Sequence, residues 1–213
     1  SSNYPATRLG REMALFDEQR MARQDPLALA TQWRAIEDKF SEADRGYAWG
    51  QLAQQAAMRH LPEAPAWFER AGTTPLSEDQ LAWKVRAALR AGDWSRVRQA
   101  VEQMPPQMAA EPAWTYWQAR ALAVQGSGDQ AATMFQKIAG QPHFYSNLAD
   151  EELGRTIRVP PRATPPSREE LAAAAARPGF RRAFALIRLD MRVEGVREWA
   201  WTLRGLDDRQ LLA

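Results

Sequence analysis

Three tryptophans, Trp49, Trp83 and Trp117, follow one another at steps of 34 residues, and this periodicity constrains the fold more than any single motif does. The same step links Ala53, Ala87 and Ala121, each four residues after its tryptophan and therefore on the same face of a helix. A third series, Trp33, Trp67, Val101 and Phe135, keeps the step with bulky apolar residues. With nine tryptophans in the chain, one coincidence of spacing would be ordinary. A large, a small and a second large residue that all hold one period point to a recurring unit, with the tryptophan-alanine series and the third series on its two helices.

The stretch W-K-V-R-A-A-L-R-A-G-D-W-S-R-V-R-Q-A-V-E-Q-M-P, Trp83 to Pro105, reads as that unit: a helix, a Gly-Asp turn and a second helix. Ser77 and Gln80 form a capping box, with Leu76 and Leu81 at staple positions, so the Trp83 helix is expected to start near Ser77. Gly92-Asp93 ends it and caps the next helix, and Gly126-Ser127-Gly128-Asp129 is expected to do the same one repeat later. Asp25-Pro26, Pro105-Pro106 and Pro112 mark further boundaries. Alternating β-branched runs and Asn-Gly turns are missing. The prediction is an all-α chain: a right-handed superhelix, or α-solenoid, of tetratricopeptide-like helical hairpins, each covering the apolar face of its neighbour.

The repeats are expected over residues 1–158. Four prolines in seven residues, from Pro160 to Pro166, predict an extended connector over 159–166. Ser167 and Glu170 then open a new helical piece by a capping box, and this piece, 167–213, is expected to continue beyond Ala213. Arg177-Pro178-Gly179 should break that piece, with Phe180, Phe184 and Ile187 at amphipathic spacing after it. The alanine-rich run Leu171 to Ala176 reads as a narrow helix suited to close packing.

Composition narrows the chemistry. There is no cysteine, which removes disulfides, thiol nucleophiles and cysteine metal sites. Lys+Arg number 28 against 26 Asp+Glu, which gives +2 and no basic stripe of the kind that binds nucleic acid. No window reaches the roughly 18 apolar residues of a membrane span, and Ser-Ser-Asn-Tyr-Pro-Ala-Thr-Arg lacks the order of a signal peptide. His60 and His143, the only histidines, stand far apart and read as helix-end or surface residues, so no metal and no cofactor is expected. Nucleotide-binding glycine motifs and GxSxG are likewise missing. The densest carboxylates, Asp150-Glu151-Glu152 and Glu169-Glu170, read as solvated helix faces or first turns, and none is nominated as catalytic. The tryptophans in phase with the repeat are expected in the core. Trp114, Tyr116, Trp199 and Trp201 fall off that phase and have two readings: exposed faces that stack on sugars or bases, or packing, which is the commoner role of such residues.

Three segments carry a family likeness: W-T-Y-W-Q-A-R-A-L-A (Trp114 to Ala123), A-A-T-M-F-Q-K-I-A-G, and H-F-Y-S-N-L-A-D-E-E-L-G (His143 to Gly154). They resemble the helical superhelix of the soluble lytic murein transglycosylases. R-G-Y-A-W-G-Q-L-A and the Pro-rich step into P-G-F-R-R-A-F-A-L are similar as well, so the resemblance covers most of the chain. It implies a periplasmic enzyme that cleaves the glycan strands of peptidoglycan without hydrolysis and leaves 1,6-anhydromuramoyl ends. In that family helical hairpins precede a linker domain and a lysozyme-like catalytic domain. The family's catalytic Glu-Ser and its Gly-Leu-Met-Gln segment do not occur here, so no catalytic residue carries over and this chain alone is expected to be inactive.

The implied role is a non-catalytic scaffold that positions glycan strands. Its expected partners are peptidoglycan and other cell-wall proteins, with no nucleic acid. Arg86 and Arg120, three residues after Trp83 and Trp117, are candidate groove contacts for peptide-stem carboxylates, together with Trp114 and Tyr116. The competing reading of the two arginines is inter-repeat salt bridges. The competing reading of the chain is a tetratricopeptide-like adaptor with a protein or peptide in its groove.

Overall fold

The computed structural model describes residues 7–157 and 161–213, and these contain helices and connections but no strand. Residues 1–6 and 158 of the expected repeat region, and 159 and 160 of the expected connector, lie outside the described residues. The chain divides into two compact units, Ser1–Val159 and Pro160–Ala213.

In the first unit α1 (Arg8–Ala22) and α2 (Pro26–Arg34) lead through a 3₁₀ turn at Glu37–Lys39 into α3 (Glu42–Met58) and α4 (Ala64–Arg70). Then come α5 (Glu78–Ala91), α6 (Trp94–Glu102), the short α7 (Pro106–Ala109), α8 (Pro112–Val124), α9 (Gly128–Ile138) and α10 (Phe144–Glu152). Within pairs α3 packs on α4, α5 on α6 and α8 on α9; between pairs α3 meets α5 and α6 meets α8. This is an α-solenoid. Trp49, Trp83 and Trp117 lie on the first helix of each pair, and Trp67, Val101 and Phe135 on the second.

The caps explain why the helices start and stop where they do. Ser77 accepts from the Gln80 N–H at 3.2 Å while the Gln80 side chain accepts from the Ser77 N–H at 2.9 Å, which closes the capping box. Gly92 ends α5 at a φ of 68°, a left-handed conformation that costs glycine little, and Asp93 caps α6. Asp25 caps α2 by accepting from Leu27 and Ala28. One cap departs from expectation. The position equivalent to Asp93 is Ser127, which makes no side-chain cap bond, and Asp129 sits inside the first turn of α9, where its charge meets the positive end of the helix.

The core consists of three clusters of buried residues, which draw respectively on α1 to α5, α5 to α8, and α8 to α10. Burying one large apolar side chain stabilises by about 1.5–3 kcal/mol, so each shared cluster holds adjacent pairs together more strongly than any cap does. Trp33, Trp49, Trp67, Val101 and Phe135 are buried, as are Ala53, Ala87 and Ala121. Trp83 and Trp117, expected in the core, are only half-buried. Asp150, expected on a solvated face, is buried and accepts from the Gly140 N–H at 2.9 Å, so it ties the loop before α10 to that helix.

The second unit contains α11 (Arg168–Ala176), α12 (Pro178–Arg188), α13 (Arg192–Thr202) and α14 (Asp208–Leu212). Ser167 and Glu170 form the expected capping box, and Arg177 separates α11 from α12. The close packing expected of the alanine run is not found, since α11 buries no residue. The tight crossing lies between α12 and α13, where a β-carbon on Gly195 would stand 2.6 Å from Ile187 and 3.0 Å from the Ala183 carbonyl. Trp199 and Trp201 are exposed. Arg209 donates to both oxygens of Glu170, each at 2.6 Å, and to the Thr164 carbonyl at 2.6 Å, which fastens α14 to α11 and to the end of the connector. The same fork, followed by the Ser167 N–H, holds the Glu170 carboxyl down at about 2.

Two predictions follow from the packing. Glu18 lies on the inner stripe of α1, 4% exposed, and its carboxylate oxygens have no hydrogen-bond partner among the described residues. Burial pushes its pKa up to about 8. The folded state therefore keeps a proton that the unfolded chain loses near 4.5, and stability falls as pH rises from there to about 8. Glu18→Gln should flatten that fall. The stability gap between variant and parent is expected to widen by roughly 3–5 kcal/mol between pH 5 and pH 8 in urea titrations, and a constant gap would contradict the assignment.

The second concerns Gly46 in α3, where a β-carbon would run into the Thr74 hydroxyl and come within 2.6 Å of the Ala71 carbonyl. Gly46→Ala should cost about 1–3 kcal/mol despite the better helix propensity of alanine. Adding Thr74→Ala should restore part of the loss in the denaturation midpoint.

Candidate functional site

The first helices of the pairs, with α10, border a cleft of about 760 Å³ within the first unit. From α5 it receives Trp83, Arg86 and Arg90, which lie on one stripe because they stand three and four residues apart. Trp117 comes from α8 and Tyr145 from the first turn of α10. His60 enters from the α3–α4 connection. It adopts a left-handed φ of 61° just past the end of α3, and its N–H returns to the Ala57 carbonyl at 3.0 Å. Among the described residues no aspartate or glutamate lines this cleft.

The two candidate arginines, equivalent by the 34-residue step, meet different surroundings. The Arg86 guanidinium stands 4.9 Å from the Trp83 ring centre and 5.3 Å from that of Trp114, so indole rings flank it in cation–π contact. Neither Arg86 nor Arg90 forms an ion pair among the described residues. Arg120 is instead bonded to the Glu152 carboxylate of α10, which also accepts from the Tyr116 hydroxyl at 3.3 Å. The salt-bridge reading therefore describes Arg120, and the cleft reading describes Arg86.

Trp114 and Tyr116, named as candidate groove contacts, follow the packing reading: each is only 6% exposed. Helix α8 is an inner helix, with one side in the cluster it shares with α5 and α6 and the other in the cluster it shares with α9 and α10. Residues off the repeat phase are therefore buried as well. Tyr116 packs against Phe135 and Tyr145, with ring centres 5.6 Å away in each case, and burial raises the pKa of its phenol. Trp114 offers no stacking face to solvent and serves instead as one of the indoles beside Arg86.

Arg90 and Tyr145 were not singled out from the sequence, and His60 was read there only as a helix-end or surface residue. Arg90 had a usable signal, four residues after Arg86 on the same stripe. At the repeat step it is matched by Ala56 and Val124, and Arg86 by Leu52 and Arg120, so only the middle pair carries both arginines. His60 reaches the cleft from the α3–α4 connection and Tyr145 from the first turn of α10, neither of which the 34-residue spacing encodes.

No family model matches the chain. Over 161 residues it is 25% identical to the soluble lytic murein transglycosylase of Escherichia coli strain K12, a match that takes in 72% of this chain and 24% of the relative. The protein of strain O157:H7 matches to the same extent. In sequence this chain is similar to part of the soluble lytic murein transglycosylases. It spans about a quarter of the length of the curated relatives it matches. In fold it is similar to the lytic transglycosylase Slt of Pseudomonas aeruginosa, solved as an inactive mutant, with a TM-score of 0.70 and 23% identity over 97% of this chain and 34% of that one. The 70 kDa soluble lytic transglycosylase of Escherichia coli gives a TM-score of 0.63 and 20% identity over 96% of this chain and 33% of the other. Among the described residues no cluster of three or more possible metal ligands occurs, and no helix is long and apolar enough to cross a membrane.

The Arg120–Glu152 pair is about one-third exposed on each side. A double-mutant cycle with Arg120→Gln and Glu152→Gln should give a coupling of about 0.5–1 kcal/mol that shrinks in high salt. A coupling of zero at low salt would remove this contact from the forces that join α8 to α10.

Proposed function

We propose that this chain is a non-catalytic helical scaffold of a peptidoglycan lytic transglycosylase that works in the periplasm, positioning glycan strands for cleavage by a catalytic domain of the same protein. The observation that carries the reading is the composition of the cleft. Trp83, Trp117 and Tyr145 offer aromatic faces of the kind that stack on sugar rings. Cleaving a glycosidic bond requires a carboxyl group beside the leaving oxygen, and none lines this cleft. A surface so equipped can hold a saccharide without cutting it. Holding a long polymer in register beside a reactive group contributes to rate through proximity and orientation.

The test is retention of the purified chain on peptidoglycan sacculi. Retention that soluble muropeptides release, and that Trp83→Ala with Trp117→Ala weakens several-fold, is expected, with no anhydromuropeptide formed. Release of anhydromuropeptides by the chain alone would overturn the scaffold reading. No retention on sacculi, with capture of an unmodified peptide, would favour the adaptor.

A further inference from the structure

We infer that Arg86 and Arg90 form a carboxylate-recognition site in the cleft, and that its ligand is a peptide carboxylate carried on a saccharide. The inference rests on the scaffold reading and adds to it the group that is recognised and the residues that recognise it.

Three observations lead to it. The first is the state of Arg86. Trp83 and Trp114 occupy its surroundings on the protein side, and no carboxylate of the chain pairs with it, so the N–H edge of the guanidinium is left for an outside acceptor. A planar fork with free N–H groups matches a carboxylate in bidentate fashion. Arg90 adds a second positive charge one turn away on the same stripe of α5, and no acid in the cleft offsets either.

The second observation is an internal precedent. At the repeat-equivalent position Arg120 is already bound to a carboxylate, that of Glu152, which the next first-position helix supplies. Moving back 34 residues from Glu152 leads to Gln118 on α8. The fold thus presents the same arginine position twice. In one copy the chain provides the acid; in the other the residue at the same sequence step, Gln118, carries no charge, and the arginine has no ion pair among the described residues. Glu152 stands in for the ligand that Arg86 lacks.

The third is the wall around the charge. Trp117 and Tyr145 are half-buried, so their rings face the cleft beside the arginines, and a ligand that carries its acid next to a sugar ring satisfies both surfaces. An isolated anion would use only the guanidinium edges.

The experiment is calorimetric titration of the full chain with a disaccharide-tetrapeptide muropeptide and with the same molecule after its carboxylates are amidated. The acidic form should bind about tenfold or more tightly. Arg86→Gln should erase that difference while the circular dichroism spectrum stays unchanged. Arg90→Gln should reduce the difference several-fold, since it removes the second positive charge of the cleft. Equal affinity for the acidic and amidated forms would overturn the assignment, as would full displacement by inorganic phosphate at the muropeptide's own concentration, the mark of a general anion site. Retention on sacculi that Arg86→Gln leaves untouched sinks the carboxylate site but spares the scaffold reading, whereas loss of retention by the parent chain sinks both.

Discussion

No helix pair in the first unit can cover its own apolar surface, and the rest of its structure depends on that shortage. Each pair exposes a stripe of large residues, with an alanine one turn along, and only the next pair can remove it from water. The buried clusters therefore straddle the pairs, and α8 contributes to two of them. Alanine at 53, 87 and 121 is as necessary as the bulky residues, because a larger side chain there would hold neighbouring helices apart. Stacking of this kind leaves the first helices side by side along one surface, and a cleft spanning several of them is the geometric result.

The cleft shows how one repeat position changes its task along the array. Trp49 is fully buried, its indole N–H given to Glu37 at 2.7 Å and its ring covered by Arg70 at 4.3 Å. Trp83 and Trp117 occupy the same position but remain half-buried, with ring surface turned to the cleft. Packing requires only part of an indole at this position. Where a polar network such as Glu37 with Arg70 closes over the ring, the residue is core; where none does, the ring lines the cleft.

This graded use explains what could and could not be read from the sequence. Helix pairs, their period and most caps were legible because they depend on contacts within about four residues or on a repeat of 34, both of which leave a regular trace. The choice between packing and exposure for Trp114 and Tyr116 was not, because a one-face argument cannot decide it for a helix enclosed on both sides. The alanine run of α11 misled in the opposite direction, since small residues permit a close crossing without creating one, and the crossing formed at Gly195 instead. For the site, Arg86 was reachable from the period, but its difference from Arg120 depends on a partner 32 residues further along, Glu152, whose counterpart is Gln118.

Net charge is a poor guide to such a surface. A balance of +2 over 213 residues suggests no preferred partner, yet that sum conceals a sorting of signs. Glu37 is engaged by Arg70, Glu152 by Arg120 and Glu69 by Arg96, so many acids of the first unit are already committed to arginines away from the cleft. What remains in the cleft is cationic and aromatic with no acid to oppose it. Field strength in a concave, partly desolvated site follows from the groups that line it and falls off within about 10 Å in physiological salt, so distant carboxylates on the outer surface cancel little of it. A nearly neutral chain can in this way present a basic recess, because the acids that would offset its arginines are paired elsewhere.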